Sequence, residues 1–89
     1  MDVKWNLAKA RANLRKHGVS FADAEAVLWD PRALTREDPD AGNEQRFITL
    51  GMDAMGHLLV VVYAYEEDDI RLISAREASP GERKHYYEK

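Results

Sequence analysis

Arg46-Phe47-Ile48-Thr49-Leu50-Gly51 and His57-Leu58-Leu59-Val60-Val61-Val62-Tyr63-Ala64-Tyr65 decide how this chain folds. Both stretches are rich in β-branched and aromatic residues, and a turn containing Gly56 joins them, so they predict an antiparallel hairpin. Leu58 to Ala64 is apolar on both faces, as expected of a central strand covered on two sides. Downstream, the acidic run Glu66 to Asp69 makes a tight connection to a further strand, Ile70 to Ala75. Ser79-Pro80-Gly81-Glu82 then combines an N-cap, a proline at the first helical position and a capping-box glutamate, which predicts a short C-terminal helix carrying Tyr86 and Tyr87.

Upstream of the hairpin the pattern is helical. Val3 to Trp5 forms a short opening strand. Asn6 is an N-cap candidate for a helix with Leu7, Ala10 and Leu14 as its apolar stripe. Arg15, Lys16 and His17 complement the dipole in its last turn, and Gly18 stops it. Ser20 and Asp23 open a second helix with the stripe Phe21, Ala24, Val27, Leu28, ended by Asp30-Pro31. Arg32 to Glu37 is a weak edge strand, and Asp38 to Asn43 a loop. The expectation is a single α+β domain over residues 1–89, with two N-terminal helices packed on a mostly antiparallel, curled sheet and a short closing helix.

Composition removes several functions. The 89 residues include no cysteine, so disulfides, thiolate metal sites and cysteine nucleophiles are excluded. His17, His57 and His85 lack metal-ligand spacing, and no G-x-S-x-G, Walker or Rossmann pattern occurs; neither metal nor cofactor is expected. The longest apolar run is far short of a membrane span, and the N-terminus has no signal-peptide core, so no membrane association and a cytoplasmic location are expected. The net charge of −3 is unevenly distributed. Residues 1–29 carry five Lys/Arg against three Asp/Glu, residues 30–69 three against ten, and residues 70–89 five against three. That allows a local basic site built from the two ends.

The remaining chemistry is an arginine set. Arg46 opens one strand, Arg71 and Arg76 flank the last, and Arg83 lies on the closing helix. If the strands are neighbours, these guanidinium groups converge on one edge of the sheet, where they can clamp phosphate and stabilise charge on a phosphorane. Glu44, Lys16, His17 and Tyr86 are acid–base or substrate-contact candidates, undecided among themselves.

Trp5 with Asn13, Lys16-His17-Gly18-Val19-Ser20-Phe21, Asp30-Pro31, Arg46 to Gly51, and Arg71-Leu72-Ile73-Ser74-Ala75-Arg76 followed by Glu82-Arg83 and Tyr86 together resemble the BrnT family. The resemblance runs from about Val3 to Glu88. It implies a RelE-like fold and a toxin of a bacterial type II toxin–antitoxin module that cleaves RNA without metal, by 2′-hydroxyl attack. The implied partner is a BrnA-type ribbon-helix-helix antitoxin, in a hetero-oligomer (a heterotetramer) that reaches operator DNA only through the antitoxin. Arg71, Arg76 and Arg83 match the family's terminal arginines and Arg46 its mid-sheet arginine, with Glu44 as a further catalytic candidate and Lys16, His17 and Tyr86 as substrate contacts. The competing expectation is a non-catalytic module that binds the antitoxin and assists operon repression.

Overall fold

The computed structural model describes residues 1–88. Along the chain it has β1 (Val3–Lys4), α1 (Leu7–His17), α2 (Phe21–Glu25), a 3-10 turn (Ala26–Trp29), β2 (Leu34–Glu37), β3 (Phe47–Met52), β4 (Leu58–Glu66), β5 (Asp69–Glu77) and α3 (Pro80–Glu88). The five strands form one sheet in the order β1-β5-β4-β3-β2. β2 to β5 are an antiparallel meander with β4 inside it, as its two-sided apolar sequence predicts. β1 adds to the outer edge of β5 in parallel, with Val3 opposite Ile70 and Lys4 opposite Arg71. No helix among the described residues is long and apolar enough to cross a membrane.

The helix boundaries follow their caps. Asn6 accepts from Lys9 N at 3.0 Å, Ser20 Oγ accepts from Asp23 N at 3.1 Å, and Gly18 at φ 71° ends α1 with its N–H on Leu14 O. The second helix is shorter than its apolar stripe predicts: after Glu25 it tightens to the 3-10 turn. This brings Val27 against β3, where a Cβ on Gly51 would lie only 3.0 Å from Val27 Cγ1 and 3.1 Å from Ala33 Cβ. The sequence motif therefore ends in glycine because the turn crosses the strand at backbone distance.

One face of the sheet is covered by α1, α2 and the 3-10 turn. Phe21, Ala24 and Val27 pack there with Leu59, Val61, Tyr63, Ile70, Leu72 and Ala75. Burying each large side chain contributes about 1.5–3 kcal/mol, so this layer supplies most of the core. The stripe expected to seat α1 does not do so: Leu7 is 61% and Leu14 51% exposed, while Asn13 is buried. Electrostatics explains the rotation. Asn13 Nδ2 donates to Ala75 O (2.8 Å) and Val19 O (3.0 Å), and its Oδ1 accepts from Ala75 N (3.1 Å), completing the edge of β5 beyond the end of β1. An unpaired strand edge beneath a helix would be costlier than two leucines in water.

The opposite face is covered only at one end, by α3. Tyr86 packs there against Leu50, Leu58 and Val60, leaving the rest of this face open.

Candidate active site

The open face is where the arginines lie. Cross-strand partners share a face, and Arg76 is opposite Val60 while Arg71 is opposite Ala64. Val60 and Ala64 are on the same side of β4, so both arginines belong to the open face. Their spacing of five residues would put them on opposite faces of a regular strand. The pairing slips between Val62 and Tyr63, where Ser74 and Leu72 are the successive partners, so Ile73 is an extra residue in a bulge. That single insertion brings Arg76 round to the face of Arg71. By the same alternation Arg36 on β2, opposite Ile48, joins them, as does Arg46 just before β3.

The arginines share a face but do not converge at one edge. Their partners Val60 and Ala64 are four residues apart on β4, which separates Arg71 and Arg76 by about 13 Å along the sheet. At the first end, Arg71 Nε donates to Glu66 Oε2 at 2.8 Å and its Nη2 to Glu44, which also faces Arg46 Nε at 3.6 Å. Lys4 adds a contact to Glu66 at 3.3 Å. The hydrogen bond from Arg71 holds the Glu44 carboxyl below its ordinary range. Arg71, and then Lys4, does the same for Glu66. Arg46 Nε is buried without a hydrogen-bond partner.

At the second end, Arg76 grips Glu82 with both nitrogens, at 2.8 and 2.9 Å. Glu82 also accepts from Ser79 N at 2.8 Å, closing the capping box read from the sequence. With Arg76 as the main cause, its carboxyl is lowered to about 2. Arg83 is exposed and makes no ion pair or side-chain hydrogen bond among the described residues. Between α3 and the sheet lies a cleft of about 380 Å³, with Leu34, Ile48, Leu50 and Val60 as its floor and Arg36, Glu82 and His85 at its rim.

The other sequence candidates lie elsewhere. Tyr86 is 4% exposed, and its hydroxyl donates to Asp30 Oδ2 at 2.6 Å. Burial first, then this bond, pushes the phenol up to about 12. Asp30 Oδ2 also accepts from Met52 N at 2.8 Å, so the pair ties α3 to the 3-10 turn and β3. Lys16 and His17 end α1 and line an edge groove with Ile73 and Ser74, separate from the cleft. Sequence reasoning missed Arg36 and His85. The available signals were Arg36 at even spacing from Leu34 and His85 three residues after Glu82, on the face that meets the sheet. Among the described residues, no three His, Cys, Asp or Glu side chains are grouped to hold a metal ion.

Comparison with known proteins agrees with this architecture. No curated protein sequence matches the chain. Among solved structures, the crystal structure of the Brucella abortus ribonuclease toxin BrnT superposes with a TM-score of 0.65 at 26% identity, covering 89% of this chain and 97% of that one. The family model described as the ribonuclease toxin BrnT of type II toxin–antitoxin systems matches residues 5–82. The chain therefore belongs to the BrnT family of ribonuclease toxins of type II toxin–antitoxin systems.

Proposed function

We propose that the open sheet face binds RNA and cleaves its phosphodiester bonds by attack of a ribose 2′-hydroxyl, halting growth until a ribbon-helix-helix antitoxin of the BrnA type binds. The observation that carries this is the placement of Arg36, Arg46, Arg71 and Arg76 on one face, with Arg36 and the His85 imidazole lining an apolar cleft at one end of it. In the reaction the 2′-oxygen attacks phosphorus while a base removes its proton. The P–O5′ bond breaks, and an acid protonates the departing O5′. His85 places an imidazole at this cleft as the acid–base group. Arg36 lines the same cleft, Arg76 is bound to its lining residue Glu82, and both are donors for the charge that develops on phosphorus. Arg46 and Arg71 hold the next phosphates along the strand. Glu44, kept ionised by Arg71 and Arg46, is a poor proton acceptor and acts as their resting counter-charge. Arg83 approaches from solvent.

Purified protein should cut RNA in excess chelator and leave 2′,3′-cyclic phosphate ends, and a single 2′-deoxy substitution at the scissile nucleotide should abolish the cut. Products bearing 3′-hydroxyl and 5′-phosphate ends, or cleavage of DNA, would refute the 2′-hydroxyl mechanism.

A further inference from the structure

We infer that the outer surface of α1 docks an acidic, amphipathic helix of the antitoxin. The partner itself is taken from the antitoxin reading above; what is added is where it binds and by what chemistry. Leu7 and Leu14 stand two helical turns apart on α1, both more than half exposed. Beside them runs an apolar groove of about 200 Å³ between α1 and α2, lined by Trp5, Ala10, Leu14, Phe21 and Ala22 with Arg11 at its border. Two leucines left in water beside an apolar groove on a domain this small are unusual unless something covers them.

Charge selects the occupant. α1 carries Lys9, Arg11, Arg15 and Lys16 and no acidic residue. Arg11 and Arg15 fall on the side of Leu7 and Leu14, and neither has an ion pair or side-chain hydrogen bond among the described residues. Arg46, Arg71 and Arg76 on the sheet face, by contrast, each meet a carboxylate of this chain. Arg11 and Arg15, without a counter-charge among the described residues, therefore flank the apolar groove. A helix with apolar side chains at spacings of three and four, and Asp or Glu beside them, satisfies both features at once. A second copy of this chain placed α1 to α1 would oppose like charges. RNA would find cations here too, and the RNA arm of the test separates the two occupants.

The test uses the small protein encoded by the open reading frame adjoining this chain's gene, co-expressed and purified with it. Affinity is measured for wild type, for Leu7→Ser/Leu14→Ser and for Arg11→Glu/Arg15→Glu, alongside RNA binding and cleavage by each toxin alone. Both double variants alter exposed side chains, so the thermal midpoint and ribonuclease activity should stay at wild-type values. Each should bind the antitoxin at least about 100-fold more weakly, and the antitoxin should no longer rescue growth. Affinities within about threefold of wild type would overturn the docking site while leaving the antitoxin reading intact. Loss of RNA binding with unchanged antitoxin affinity would overturn it in favour of an RNA surface. If the wild-type chain forms no complex, the antitoxin reading falls and the site with it.

Discussion

Replacing Tyr86 by phenylalanine removes one oxygen and keeps the ring packed on Leu50, Leu58 and Val60. The lost bond is 2.6 Å long and ends on the Asp30 carboxylate. A hydrogen bond to an ionised partner contributes about 1.5–3 kcal/mol net. The phenol is raised from 10.0 to about 12 by burial first and this bond second, so the shift fixes the pH window and not the strength of the bond. Taking about 2 kcal/mol, and about 4–8 °C per kcal/mol for a domain of this size, Tyr86→Phe should melt about 8–16 °C below wild type. The pH dependence has a definite sign. The folded phenol ionises above the unfolded one, so the stabilisation is complete below pH 10 and is lost as pH rises from 10 towards 12. Wild type should therefore lose its advantage over the variant across that window. Thermal melts from pH 7 to 12, with RNA cleavage at 25 °C, check both points. Cleavage per folded molecule should stay near wild type. A midpoint within 2 °C of wild type, or a full loss of cleavage with an unchanged midpoint, would show that the hydroxyl serves the substrate instead of the fold.

Other outcomes follow from the same geometry. Asn13→Ala leaves the N–H and C=O of Ala75 and the C=O of Val19 without their partner and should cost about 2–4 kcal/mol by chemical denaturation. Asn13→Asp, which keeps the acceptor and loses the donor, should restore little of it. Arg76→Ala and His85→Gln should each slow RNA cleavage by about 10²–10³ in single-turnover assays, with Arg76→Lys recovering part because an ammonium has no bidentate fork. Because the Glu82 carboxyl is lowered to about 2, its contribution is complete above pH 4.5 and lost as pH falls from 4.5 towards 2. Glu82→Gln should flatten stability across that window in acid melts.

The local signals in this sequence translated directly into structure, because each is satisfied within a few residues. The caps at Asn6, Ser20 and Ser79, the glycine stop at Gly18 and the two-sided apolar run of β4 all fold as read. What stayed hidden depends on partners far along the chain. The orientation of α1 is set by Ala75, 62 residues from Asn13, so the leucine stripe pointed the wrong way. The parallel pairing of β1 with β5 has no counterpart in its two residues. The expected convergence of the arginines on one edge does not occur: the division of Arg71 and Arg76 between two ends of β5 follows from strand length, and their common face from a bulge that no periodicity count would place. Arg36 and His85 became visible only once β2 and α3 were seen to flank one cleft.

The carboxylates that Arg46, Arg71 and Arg76 hold at rest also bear on how the protein meets RNA in salt. A cation that already faces a tethered anion adds little net positive charge when a phosphate displaces that anion, so few condensed counterions are released from the nucleic acid. At the proposed RNA site, Arg36 in the cleft and the exposed Arg83 on α3 hold no such anion among the described residues. Binding then weakens with ionic strength far less steeply than a tally of arginines implies, and the contribution that persists is the geometric fit of guanidinium to phosphate. With the proposed site, an acidic chain acts on a polyanion in this way: its own glutamates keep the site from gathering stray nucleic acid, and release it only to a ligand shaped to take their place.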